Sequence, residues 1–387
     1  MNAPDGVGSS ARKRIVALVP NVPGTAPGQR VRIESWIPHL RESGWEVELF
    51  PFEDARLREV LYQAGHVKEK AAGLARCYAA QTRRVLSLPP CDVVLVYREA
   101  ALVGPALLER LVRRRGVPIV FDLDEPIFLP YRSPTSGWAS LLKVSRKTHA
   151  LFRMATEIVA INRIIGDAAS KYNPAVTVIP NFLDVERYRP RSAPPTNGPV
   201  RLAWSGSHTT MANLRTIAPV LSQVQQESGA RLRVVGTGSV EVPGVDVELR
   251  QWSPDTEVQD LQDCDVGLVP LTDLRWNRWK FFMKVVQYMA VGLPVVAQRT
   301  GSNPEVIEDG VTGFCVETPD EWYRALKTLV DDADLRHKMS AAARRTAVER
   351  YSTAAQMARV VSVFERASGR VHRPQAARTS ADGARGF

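Results

Sequence analysis

Four cations, Arg275, Arg278, Lys280 and Lys284, crowd the start of a segment whose spacing predicts a helix beginning near Asn277. The free N–H groups of a helix N-terminus already carry partial positive charge, so cations there predict a bound anion that relieves the conflict. On that helix positions 280, 284 and 287 share a face, because spacings of three, four and seven nearly complete whole turns. Lys280 and Lys284 are thus expected to grip a phosphate or diphosphate, with Gln287 reaching a hydroxyl from the next turn. Met283, Val286 and Ala290 are expected to pack inward. The Gly292-Leu293-Pro294 break and the apolar PVVA that follows place the helix in a helix–turn–strand unit of an α/β sheet, a usual seat for a nucleotide.

Three other places bring reactive side chains to strand ends. VPIVFDLDEPIF ends in Asp122, Asp124 and Glu125, and strand C-termini in parallel sheets face the ligand crevice. These carboxylates either serve a ligand there or pair with arginines such as Arg98. In WSGSHTTMANL, the hydroxyls and N–H groups of Ser205, Gly206, Ser207 and Thr209 form a turn able to hold phosphate, with His208 beside them. Gly24 and Gly28 lie in the loop after the first strand, followed by Arg30 and Arg32. PGTAPGQ is either a ligand-approaching loop or a plain turn.

Short apolar strands alternate with helices, which predicts parallel sheets covered on both faces. RIVALVP, WEVELFPF, CDVVLVYRE, VPIVFDLDE, EIVAIN and TVIPN make a first series, with helices over VRIESWIPHLRESG, residues 105–115 and residues 140–154. RPRSAPPTNGP reads as a linker. VRLAWSGS, RLRVVGTG and DVGLVPL open a second series, and helices over 319–331, 333–351 and 353–367 close it. The expected architecture is two tandem Rossmann-like domains, 13–190 and 200–368, around a central cleft. Residues 1–12 read as a disordered leader, 191–199 as the linker and 369–387 as a disordered tail.

The 387 residues, 44% apolar and 24% charged, suit a globular protein of two domains. No apolar run approaches the ~18 residues of a membrane span, and no hydrophobic stretch of a signal peptide follows the N-terminal charges, so a cytoplasmic protein is expected. Four scattered cysteines without a CxxC predict buried thiols. The net charge of +10 calls for anionic company. Arg83, Arg84 and Arg113 to Arg115 end predicted helices, where they read as a solvated face, with peripheral contact to an anionic membrane as the alternative. No recognition helix, RNP motif or zinc finger is present, which argues against nucleic acid.

KVVQYMAVGLPVVA followed by GSNPEVIEDGVTGFCV resembles the C-terminal donor-binding motif of the GT-B glycosyltransferases of family 4, K-x-x-E-Y-M-A-x-G-x-P-V-V-A and then G-x-x-E-x-[IV]-x-x-G-x-x-G. VIPNFLDVERYRP is similar to the same family's I-x-N-x-x-D-x-x-x-[FY]-x-P segment through Asn181, Asp184, Tyr188 and Pro190. The resemblance implies transfer of a sugar, with retention, from a nucleoside-diphosphate sugar to a glycan, lipid-linked or small-molecule acceptor. A nucleotide-sugar epimerase of the same fold and a non-catalytic basic nucleotide- or nucleic-acid-binding protein are the alternatives. Lys284 matches the motif's lysine near the donor phosphates, and Glu305 its second-motif glutamate. Trp279 and Gln287 stand where many members have a Glu-x7-Glu pair, so any catalytic duty of the first acid does not carry over. Asp124 stands where many members have histidine, and it and Lys284 are the candidate catalytic residues. Gly28 and Arg30 belong to the expected acceptor-side loop. No cofactor and no essential metal are implied, since fixed cations and a helix dipole supply the electrostatics.

Overall fold

The computed structural model describes residues 12–129, 146–191, 198–207, 210–236, 238–272 and 274–369. The first series supplies β1 (Lys13–Val19), β2 (Trp45–Pro51), β3 (Val93–Tyr97), β4 (Ile119–Leu123), β5 (Glu157–Ala160) and β6 (Val176–Val178). The second supplies β7 (Arg201–Gly206), β8 (Arg231–Gly236), β9 (Val247–Gln251), β10 (Val266–Val269), β11 (Val295–Gln298) and β12 (Gly313–Val316). They form two six-stranded sheets ordered β2-β1-β3-β4-β5-β6 and β12-β11-β10-β7-β8-β9, and every strand pairing is parallel. The continuous apolar runs fit this, since parallel strands bury both faces. In each sheet the order reverses once, between β1 and β3 and between β7 and β10, and there the connecting helices leave to opposite faces.

Helices Val67–Leu86, Leu107–Arg114 and Arg146–Met154 cover one face of the first sheet. Arginines end the first two of these, where cations suit the helix C-terminus. The second sheet lies between the Ala218–Ser228 and Pro319–Asp331 helices on one face and Met283–Ala290 and Ala333–Tyr351 on the other. All four cysteines are unpaired, and three of them are buried. No helix among the described residues is long and apolar enough to cross a membrane.

Two expectations need correction. The closing helices were assigned together to the second half, yet Thr353–Gly369 returns to the first sheet. Its apolar stripe Met357, Val360, Val363, Phe364 and Ala367 fills the core beside Trp36 and Trp45. The helix Trp36–Glu42 alone leaves much of that face open, and the last helix closes it. The helix expected from Val31 begins instead at Pro27, whose fixed φ suits a first turn, and runs through a π turn at Arg30–Glu34 into Trp36–Glu42. Gly28 and Arg30 are therefore helical, not parts of a loop. Of the helix expected over 140–154, residues 146–154 are helical and the remainder lies outside the described residues, as do most of the expected leader, linker and tail.

Phe364 is fully buried with its ring centroid 5.9 Å from that of Trp45. Phe364→Ala is expected to destabilise the protein by about 3–5 kcal/mol, read from urea denaturation. A change below about 1 kcal/mol would mean that the last helix does not belong to the first core.

Candidate active site in the cleft between the sheets

The C-terminal ends of both sheets' strands border a cavity of 360 Å³ at the two switch points. Gly28, Arg98, Asp124 and Asn181 come from the first half, and Trp204, Thr210, Lys280 and Lys284 from the second.

On the first side the acid is clamped. Arg98 follows β3 in a left-handed conformation (φ 59°), which a non-glycine residue adopts only under constraint. Its backbone N–H donates to the Asp122 carbonyl, and its Nε and Nη2 donate to Asp124 at 2.5 and 2.7 Å. Tyr97 Oη donates to the same carboxylate at 2.7 Å, and Glu125 lies 3.4 Å from Arg98 Nη1. Burial alone would raise the Asp124 carboxyl, but the charge and hydrogen bonds of Arg98 overcome it and hold it below its ordinary value. Gly28 leaves room for this fork. A Cβ on it would lie 3.1 Å from Arg98 Nη2. Beneath this layer Arg32 forks onto Asp122, both fully buried, and reaches the Ile179 carbonyl and Asn181. Arg30 is exposed and does not border the cavity, because the helical start at Pro27 turns it outward.

On the second side the backbone departs from the expected helix. Asn277–Trp279 is one 3-10 turn, Lys280 is extended (ψ 151°), and the helix starts only at Met283. Trp279 and Phe281 pack against the first half's core while Phe281, Phe282 and Met283 pack against the second's, a set no single helix face presents. The ring of Trp279 meets Phe128 edge-on at 5.1 Å, and its carbonyl accepts from Asn162 Nδ2. Gly301 permits the fold-back. A Cβ there would meet the Lys280 and Asn277 carbonyls at 2.5 and 2.7 Å. Arg275 and Arg278 are exposed on the preceding turn, and Lys280 borders the cavity from the extended stretch rather than from the helical face of Lys284. Of the four cations only Lys284 lies in the helix's first turn.

Lys284 donates to the Ser205 carbonyl and sits 5.1 Å from the centroid of the Trp204 ring. Burial pulls its pKa down to about 8, against a smaller opposing pull from Glu257. Neither Lys280 nor Lys284 pairs with a carboxylate among the described residues. The positively charged wall thus faces the Arg98-clamped acids across the cavity.

Several expected donor residues play other parts. Ser205 is held from behind, its N–H donating to Tyr288 Oη at 2.7 Å. Gly206 and Ser207 do not border the cavity, whereas Trp204, Thr210 and Asn213 do, because alternation along β7 turns Trp204 toward it. Thr209 and His208 lie outside the described residues. Gln287 Nε2 donates to Tyr188 Oη at 2.9 Å and to Glu257 Oε1 at 3.3 Å, and Tyr188 Oη donates to Glu257 Oε2 at 3.1 Å. Glu305 approaches the backbone N–H of Arg163 at 3.4 Å, as a brace between the halves rather than a cavity wall.

Two residues escaped the sequence reading. Arg98 was read only as a partner of the acids, although its place at a strand's C-terminal end was visible in VVLVYRE. Glu257, an acid one hydrogen bond from Gln287, gave no local signal, since nothing in SPDTEVQDL marks it as facing a residue thirty positions on.

Residues 199–332 match the family model described as glycosyl transferases group 1. The D-inositol 3-phosphate glycosyltransferase of Thermobispora bispora is 30% identical over 146 residues, 37% of this chain and 31% of that protein. The MMP alpha-(1->4)-mannosyltransferase of Mycolicibacterium hassiacum is 38% identical over 96 residues, 24% of this chain and 23% of that protein. Over this second half the chain is similar to the group 1 glycosyltransferases. The aligned stretches span less than a third of the length of these two relatives. Solved structures share the GT-B fold over nearly the whole chain. Anabaena Alr3699/HepE in complex with UDP and glucose superposes with a TM-score of 0.64 at 17% identity, covering 91% of this chain and 99% of that one. Sucrose-phosphate synthase from Thermosynechococcus elongatus gives 0.65 at 13% identity, covering 92% and 98%. The cavity therefore occupies the cleft of a GT-B fold.

With the cleft empty, one lysine is expected to titrate near pH 8 in ¹³C NMR of the reductively methylated protein, and its signal is expected to vanish in Lys284→Met. A spectrum in which every lysine titrates above pH 10 would show that the cleft does not desolvate this ammonium.

Proposed function

We propose that the chain moves a glycosyl group from a nucleoside-diphosphate sugar to an acceptor hydroxyl, with retention at the anomeric carbon, in the synthesis of a glycan, glycolipid or natural product. One juxtaposition carries the reading: Lys280 and Lys284, without carboxylate partners among the described residues, stand across one cavity from an ionised acid that Arg98 and Tyr97 hold in place. The lysines suit a diphosphate. As the anomeric C–O bond breaks, charge gathers on the leaving phosphate oxygen, where a partly desolvated ammonium stabilises it more than water would. Asp124 accepts three hydrogen bonds and has a lowered pKa, so it is a poor proton acceptor. Its role is to stabilise positive charge developing at the anomeric carbon or to orient the acceptor hydroxyl.

Retention rests on the family resemblance, and the choice of donor on the neighbours, since Alr3699/HepE has been crystallised with UDP-glucose. UDP-sugars are accordingly the first donors to screen. An acceptor carried on an anionic membrane would meet the arginines that end the Val67–Leu86 and Leu107–Arg114 helices.

The test begins with nucleotide sugars ranked by thermal stabilisation, since a ligand at 100 times its Kd adds about 2.7 kcal/mol. Transfer and hydrolysis are then measured with the best donor. Lys284→Met is expected to lose on the order of 10²–10³ in kcat. Near wild-type turnover in that variant would remove Lys284 from the mechanism, and epimerised donor without transfer would favour an epimerase. Activity is expected to be equal in EDTA and in added Mg²⁺, and loss in EDTA that Mg²⁺ restores would establish a required metal.

A further inference from the structure

A second cavity, 530 Å³, lies at the other end of the second sheet, where its strands begin. Val200 before β7, Asp265 before β10 and Gly292 before β11 border it, and the Ala333–Tyr351 helix forms its wall. Arg336 and Arg344 lie two turns apart on that helix, with His337 and Arg345 next to them, so one face turns its basic side chains to the cavity.

The charges here do not balance. Arg191 pairs with Asp265 at 2.9 Å, and the second oxygen of Asp265 accepts from the Arg201 N–H, which commits the cavity's one acid among the described residues. Arg336 spends Nη1 on the Leu329 and Val330 carbonyls, and Arg344 spends Nη1 on those of Val185, Tyr188 and Ala290. Neither of these nor Arg345 forms an ion pair among the described residues. Burial works against the charge of Arg344, lowering its pKa. Residues 192–197, SAPPTN, contain no acid that could neutralise the group. Half-buried guanidinium groups held only by carbonyls retain donors for an anion, and guanidinium forks match the oxygens of a phosphate.

We propose that this rear cavity binds a phosphate-bearing small molecule, separately from the cleft. Its concave form and its volume suit a small ligand rather than a nucleic acid or a bilayer. The occupant is an effector and not a reactant, because the cavity lies at the strand ends opposite the catalytic crevice. Arg344 provides the link between the two. Its Nη1 holds the last carbonyl of the Met283–Ala290 helix, which carries Lys284, and the carbonyl of Tyr188, whose hydroxyl bonds Gln287 and Glu257.

The inference does not depend on the proposed transfer reaction, and pyrophosphate serves as the probe. Isothermal titration is run on Lys284→Met, which weakens the cleft for anions, and on the double variant that adds Arg345→Glu, an exposed position where charge reversal spares the fold. Lys284→Met is expected to bind pyrophosphate, with hydrogen-exchange protection along residues 333–345. The added reversal is expected to weaken binding by about tenfold or more, the loss of one charge-assisted contact. Equal affinity in the two variants, protection confined to residues 280–290, or no binding to Lys284→Met would each overturn the proposal, whatever the outcome of the transferase assay.

Discussion

The site depends on one desolvated ammonium. Lys284 is drawn between the Ser205 carbonyl and the Trp204 ring, where burial lowers its pKa to about 8 and no carboxylate among the described residues pairs with it. Removing a charge from water without a partner costs free energy, and the fold bears that cost by arranging a carbonyl and a π face around the charge. A site prepared in this way favours an anion strongly, because the charge is already desolvated and aimed before the ligand arrives. Tyr288 completes the arrangement by accepting from the Ser205 N–H, so the helix holds both the N–H and the carbonyl of that strand-end residue.

The remaining geometry follows from bringing the C-terminal ends of the two sheets' strands to opposite sides of one cavity. Trp279, Phe281 and Phe282 leave helical geometry to fill the seam, Gly301 admits their backbone, and Asn162 caps its own helix while reaching across to the Trp279 carbonyl. The same seam places Arg98 and Asp124 opposite the lysines. Arg98 accepts left-handed backbone strain to make its fork, and Gly28 gives it room. Without this clamp Asp124 would face the cavity as a buried carboxyl with a raised pKa.

Behind the cleft wall, Gln287 is anchored rather than free. Glu257, on a different helix, accepts hydrogen bonds from Gln287 and Tyr188. It also exerts the opposing pull on Lys284. Packing thus links three elements distant in the chain through the Tyr188 hydroxyl, from the segment that connects the sheets.

What the sequence determined by itself was periodic or local. Apolar runs punctuated by glycine and proline specified parallel strands and their helices, because burial on both faces demands uninterrupted Val, Ile and Leu. Strand ends marked Asp124 and the Ser205 turn, and the motif around Lys284 marked the family. Tertiary structure decided the rest. Lys280 left the helical face of Lys284 because the aromatic residues on either side of it, Trp279, Phe281 and Phe282, pack into the seam between two cores, and helix propensity, a few tenths of a kcal/mol per residue, does not outweigh such burial. The last helix crossed to the first sheet because that sheet's face was open, and Glu257 met Gln287 through contacts thirty residues apart. Periodicity reports which side of an element is buried. Only the packed chain reports what it is buried against.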